Sequence, residues 1–209
     1  MKIRGLFLSA TTLMALGLPP VYGQSGSSTS ANSTAAPNAP QNIQQRKENQ
    51  QDRIANGVQS GQLTAGETKN LETREAGLNR EERGMRAADS GKLTAADRAR
   101  LNRQQNRLSG QIYNDKHNAA TAKFGNGRIG QRRENQQDRI AQGIRSGQLT
   151  AGETARLEGK EQHFNREVAG ARQLNGGKLT PGERKAANQQ QNHLSKQIYK
   201  DKHNNRRQR

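Results

Sequence analysis

The 209-residue chain has no cysteine and no tryptophan, and only three tyrosines and three phenylalanines. Disulfides, thiolate chemistry and cysteine-bound zinc are excluded, and stacking of nucleic-acid bases on aromatic rings has little to work with. Large apolar residues are scarce as well. From Gln24 onward Leu, Ile, Val and Phe number 22 in 186 positions, about 12%. Without periodicity, such a composition reads as disorder. The one long apolar run, residues 5–18, follows Lys2 and Arg4 and ends at Pro19-Pro20. It is shorter than the roughly 20 residues that span a bilayer, and it has the layout of a secretory signal peptide. Val21 and Gly23 place the expected cut after Gly23, which would make the mature protein secreted or periplasmic. Acid is also short: 35 Lys and Arg stand against 18 Asp and Glu, a formal charge of +17.

What the chain has is repetition. Residues 46–118 and 132–204 align without a gap and are identical at 45 of 73 positions. Within each copy a fainter repeat at an offset of 30 residues pairs Leu63-Thr64 with Leu93-Thr94 and Leu78 with Leu108. Two duplications of a helix-sized unit account for this pattern.

The most conspicuous repeated string, G-x-L-T-x-x-(E/D), is helix punctuation. In a capping box the Thr hydroxyl accepts the backbone N–H three residues on, and the acid there reaches back to the Thr N–H. Thr64/Glu67, Thr94/Asp97, Thr150/Glu153 and Thr180/Glu183 have that spacing, and Pro181 suits a first helical position. Gly61, Gly91, Gly147 and Gly177 stand where a preceding helix needs a left-handed closing residue. Four such signals predict six helices, near residues 42–59, 64–88, 94–120, 131–145, 150–174 and 180–205. Ile54/Val58, Leu71/Leu78/Met85, Leu101/Leu108/Ile112, Ile140/Ile144 and Leu157/Phe164/Ala171 draw narrow apolar seams suited to coiled-coil-like antiparallel packing. The expected fold is all-α: a tandem duplication of a three-helix unit, with residues 46–120 and 132–209 as the two copies. Residues 24–45, rich in Ser, Ala, Asn and Pro, form an expected disordered leader, and residues 121–131, with three glycines, an expected hinge.

Catalytic and metal-binding readings find little support. The L-T-x-x-E string resembles half of a calcium EF-hand loop, but the remaining ligand positions fall on Asn56, Val58 and Ser60, or on Arg86, Ala88 and Ser90, which cannot form a calcium cage. Tyr113, Asp115 and His117, repeated as Tyr199, Asp201 and His203, are the most enzyme-like group. On a helix, however, the Asp and His point about 200° apart, and the segment reads as a helix end. His163 and His193 have no histidine counterpart in the other copy. No catalytic residue, cofactor or metal is expected.

Charge placement carries the functional reading. Residues 64–89 hold five bases and six acids, whereas residues 180–209 hold eight and two. This unevenness points to an anionic polymer as partner: polysaccharide, lipopolysaccharide or nucleic acid. The expected contacts are Arg100, Arg103 and Arg107, Arg132 and Arg133, Lys196, Lys200 and Lys202, and the tail Arg206, Arg207 and Arg209.

The string R-I-x-x-G-x-x-S-G-Q-L-T-A-G-E-T-x-x-L-E, followed by G-K-L-T and Q-I-Y-x-x-K-H-N, resembles an uncharacterised group of exported bacterial helical-repeat proteins. The repeated L-T-x-x-(E/D) is similar to the L-T-x-x-Q motif of the Spy/CpxP class of periplasmic stress chaperones, with an acid in place of Gln. That resemblance implies an all-helical protein holding unfolded clients, the alternative to polyanion binding. A structural role in the envelope is a third.

Overall fold

The computed structural model describes residues 42–208. The expected signal peptide, the leader up to residue 41 and Arg209 lie outside the described residues. Those described form six helices: α1 (Ile43–Gln59), α2 (Ala65–Ala88), α3 (Ala95–Lys116), α4 (Arg128–Arg145), α5 (Ala151–Leu174) and α6 (Pro181–Lys202). No strand occurs among the described residues. The protein is all-α.

Five of the six described helices start at a side-chain cap, α4 at Gly127 being the exception. Glu67 Oε2 accepts the Thr64 N–H at 2.9 Å, while Thr64 Oγ1 accepts the Glu67 N–H at 3.3 Å. The same reciprocal pair opens α3, α5 and α6. Asn42 caps α1 through the Gln45 N–H at 2.7 Å, so residues 43–45 belong to the helix rather than to the leader. After α1 and α4 the chain turns through a single left-handed glycine, Gly61 (φ +71°) or Gly147 (φ +65°). After α2 and α5 it turns through two left-handed residues, Ser90-Gly91 and Gly176-Gly177. Ser90 therefore holds a conformation that costs an L-residue about 1 kcal/mol and that Gly176 adopts freely.

The largest interfaces join the two copies, α2 to α5 and α1 to α4. Helix α3 packs on α1 and α2, α6 packs on α4 and α5, and α3 does not touch α6. Gly66 faces Gln162 and Lys69 faces Gly159, so α2 and α5 run antiparallel. This register sets Leu71 opposite Leu157, both fully buried. Because these leucines are equivalent positions of the duplication, the copies are related by a pseudo-twofold axis near that pair. One apolar cluster runs through both, from Ile54, Leu71 and Ile112 to Ile140, Leu157 and Ile198, and a smaller one gathers Phe164, Val168 and Ala187 in the second copy.

With so few aliphatic residues, glutamine amides complete the core. Gln50 Nε2 donates to the Gln105 carbonyl (2.7 Å) and to Ser109 Oγ (2.8 Å), and Gln136 does the same to Gln191 and Ser195. Gln105 and Gln191 donate in turn to the carbonyls of Ile43 and Ile129. All four glutamines are buried. These bonds tie α3 to α1 and α6 to α4 where apolar contacts are thin.

The stretch at residues 121–131 is held to its surroundings. The Ala122 N–H donates to the Gly61 carbonyl at 2.8 Å, and α4 already begins at Arg128. Gly130 is required there, because a Cβ would run into the Phe124 and Gly125 carbonyls. Gln208 occupies the equivalent place in the second copy, bonding Gly147 at 3.0 Å.

Candidate polyanion-binding surface

Folding separates the charges that the sequence interleaves. In α2 the acids Glu72, Glu75 and Glu82 are buried, whereas Arg74, Arg80, Arg83 and Arg86 are exposed. In α5 Glu153, Glu158 and Glu161 are buried while Arg156, Lys160 and Arg166 are exposed. Helices neutral by count are therefore basic at their surface. The signal was present in the spacing: Glu75 and Glu82 lie four residues after Leu71 and Leu78, on the same helical face.

The inward-facing acids are electrostatically costly. Burial raises the Glu75 carboxyl to about 7, with Lys47 opposing and Glu82 reinforcing the shift. Burial likewise raises Glu161 to about 7, against the pull of Arg133. Glu72 and Glu158 are pushed well above the ordinary carboxylate range by burial and by their neighbours Glu75 and Glu161. Glu72 adds to the effect on Glu158 across the pseudo-twofold, while each accepts one amide hydrogen bond, from Gln51 and Gln137 respectively. Glu82 differs: burial alone would raise it, but hydrogen bonds from Arg86 and Lys47 bring it below its usual value. No group of three or more His, Asp or Glu among the described residues has a geometry that could hold a metal ion.

The basic residues singled out in the sequence have separate fates. Arg103 and Arg107 project from α3 into solvent, and Lys196 and Lys200 do so from α6. Arg100 is tied to Glu81 at 2.6 Å. Arg132 spans to Asn188 and Asn192 on α6. Arg133 donates to the Lys123 carbonyl at 3.2 Å and lies 5.4 Å from the centre of the Phe124 ring. Lys202 is half-buried, and Arg206 approaches Glu153 at 3.7 Å. Arg207 donates to the carbonyls of Asn204 and Arg206. Since α3 and α6 do not meet, these residues form two surfaces rather than one.

The repeated Y-x-D-K-H-N segments close helices. His117 Nδ1 donates to the Tyr113 carbonyl at 2.6 Å, and the two rings stack 4.2 Å apart. His203 and Tyr199 repeat the arrangement. The terminal asparagine then reaches the capping box: Asn118 Nδ2 donates to Glu67 Oε1 at 2.6 Å, and Asn204 to Glu153 at 2.8 Å. Folding also brings His163 and His193 to one small cleft beside Phe164 and Leu194, a juxtaposition without repeat or spacing to signal it.

The most concentrated basic feature was not singled out in the sequence. A cleft of about 550 Å³ lies between the C-terminal half of α2 and the N-terminus of α5. Lys47, Arg80, Arg83, Arg86 and Arg207 line it, with Glu82 as its one acid. Among the described residues Arg80 and Arg83 make no hydrogen bond or ion pair. Four of its five basic residues come from the first copy and Arg207 from the second, so the full set is brought together only by the packing of the two copies.

Comparison with known protein families, with curated proteins and with solved structures gives no match. No helix among the described residues is long and apolar enough to cross a membrane.

Proposed function

We propose that this is an exported, non-catalytic helical-repeat protein that binds anionic polymers of the envelope or extracellular space. The observation that carries this reading is the sorting of charge: Glu72, Glu75 and Glu82 of α2 and Glu153, Glu158 and Glu161 of α5 turn inward, while Arg74, Arg80, Arg83, Arg86, Arg156, Lys160 and Arg166 turn outward. The excess positive charge is thereby displayed on a helical scaffold, where it attracts polyanions and releases their counterions on contact. A surface for holding unfolded clients would need exposed apolar area. Among the described residues the large exposed hydrophobics are Tyr113, Leu174 and Tyr199, and both tyrosines are covered on one face by histidine.

The test is the salt dependence of binding to heparin, lipopolysaccharide and double-stranded DNA. Affinity for at least one should fall log-linearly with salt, with a slope set by the number of anionic groups contacted. Negligible binding to all three at ~150 mM salt, where screening beyond about 8 Å is strong, refutes the proposal.

A further inference from the structure

The pseudo-twofold supplies an internal control for the basic cleft. The equivalent niche around Thr64, Ala65 and Arg133 encloses only about 110 Å³, and the chain's own Lys123 and Phe124 line it. There Arg133, the counterpart of Lys47, is engaged by the Lys123 carbonyl and the Phe124 ring. Moreover, Val168 and Ala169 occupy the positions of Glu82 and Arg83. Arg80 and Arg86 recur as Arg166 and Arg172, so what the first copy adds is Arg83 and the acid, Glu82, that holds Lys47.

In the open cleft Glu82 holds Lys47 at 3.1 Å and Arg86 at 2.8 Å, fixing two cations on the wall. Arg80 and Arg83 line the same cleft, exposed and unengaged by other described residues. Arg80, Arg83 and Arg86 recur every three residues, so the row extends about 9 Å along the helix. That is longer than one oxyanion and suits several anionic groups in succession. The remaining lining combines amides and a hydroxyl, Gln44, Asn79, Thr150 and Gln208, with the small residues Ala76, Ala151 and Gly152, and no aromatic ring. Asn79 is more than nine-tenths buried, and its Oδ1 lacks a hydrogen-bond partner, as do Asn165 Oδ1 in the equivalent niche and Gln208 Nε2. Amides that both donate and accept match sugar hydroxyls, whereas a single-stranded nucleic acid would want a stacking surface.

Resting on the polyanion reading above, we infer that this cleft binds a segment of sulfated or phosphorylated saccharide. Its anionic groups sit on Arg80 and Arg83, and its hydroxyls face the amide-bearing lining of Gln44, Asn79 and Gln208. Specificity thus resides at the junction of the two copies, while the α3 and α6 surfaces attract polyanions without selecting among them.

The experiment is calorimetric titration of the full chain with a heparin hexasaccharide at ~150 mM salt, then with a phosphorylated oligosaccharide and a short DNA duplex of similar charge. R80Q/R83Q is compared with R103Q/R107Q, which removes the same charge from α3. R83A is a second variant, since Ala169 stands at that position on α5. Two charge-assisted hydrogen bonds are at stake, so the cleft variant should bind the hexasaccharide at least ~10-fold more weakly. The α3 variant should lose less than ~3-fold, as rim charges do. Whichever oligosaccharide binds more tightly identifies sulfate or phosphate as the preferred group. Equal losses in both variants overturn the cleft while leaving polyanion binding intact. DNA binding that depends equally on Arg80 and Arg83 overturns the saccharide assignment. Absence of binding to every probe by the unmodified chain overturns both the cleft and the reading on which it rests.

Discussion

Gly57 and Leu63 are in such close approach that a Cβ on the glycine would stand 2.6 Å from Leu63 Cδ1. Gly143 and Leu149 repeat the relationship in the second copy. Both leucines are fully buried, and each closes its turn by donating its N–H to the same glycine's carbonyl. The glycine is kept for the space its missing methyl leaves, since in mid-helix it costs about 1 kcal/mol relative to alanine. Gly57→Ala should therefore destabilise the protein by about 1–2 kcal/mol despite the gain in helix propensity. Gly84→Ala, where nothing lies within 4 Å, should stabilise it by about 0.5–1 kcal/mol. Urea unfolding of the two variants measures the contrast; equal signs would refute it.

The capping boxes should behave as structural fasteners. Thr64→Ala with Thr150→Ala should lower the melting temperature, each cap contributing about 0.5–2 kcal/mol. Asn118→Ala removes the second support of the Glu67 carboxylate and should cost a further ~1 kcal/mol. Calcium should leave the melting curve unchanged. Micromolar calcium binding by calorimetry would restore the EF-hand reading.

The buried carboxylates give stability a distinctive pH dependence. Burial raises Glu75 and Glu161 to about 7 in the folded state, from an ordinary value of 4.5, and pushes Glu72 and Glu158 well above that ordinary value too. The folded chain therefore holds protons that the unfolded chain has released, and stability falls as pH rises. The favourable contribution is complete below about 4.5 and is lost through 7 and beyond. The cap acids Asp97, Glu153 and Glu183 are shifted downward, so their contribution is lost only in stronger acid. The urea midpoint should be higher near pH 5 than near pH 8, and Glu72→Gln with Glu158→Gln should flatten the difference. A midpoint that climbs across this range would show that these groups ionise without penalty.

Duplication alone suggests two copies able to fold separately, but the shared core argues otherwise. A fragment spanning residues 42–123 would expose the face of α2 carrying Leu71 and Glu75. Because that face meets its own repeat across a pseudo-twofold, the fragment should pair with a second copy of itself in the α2–α5 geometry. Light scattering should find a dimer, and Leu71→Lys should abolish it. A well-folded monomer would contradict the expectation.

Helix number, order and the boundaries set by capping boxes and glycine turns were legible in sequence because they depend on local chemistry, whereas α3 and α6 end at Lys116 and Lys202, short of the expected 120 and 205, and α4 starts at Arg128 ahead of the expected 131. A threonine and an acid three residues apart satisfy each other wherever they occur, and a left-handed turn calls for glycine at a fixed offset from the last helical residue. The apolar seams were equally legible, since spacing on a helix fixes which residues share a face. Nothing local specified which seams would meet. The pairing of α2 with α5 and of α1 with α4 joins residues some 86 positions apart, and it emerges only when narrow apolar faces from both copies combine into a core neither could complete. That packing decided the charge map. By drawing Glu72, Glu75 and Glu82 inward, it turned a helix neutral by composition into a basic surface and set Arg80 and Arg83 beside Arg207. Arg132 and Arg133, equally basic in sequence, were drawn into contacts with Asn192 and Phe124. Sequence determined how many charges the chain carries; tertiary structure decided which of them face solvent, because burial acts on the faces of helices and not on their composition.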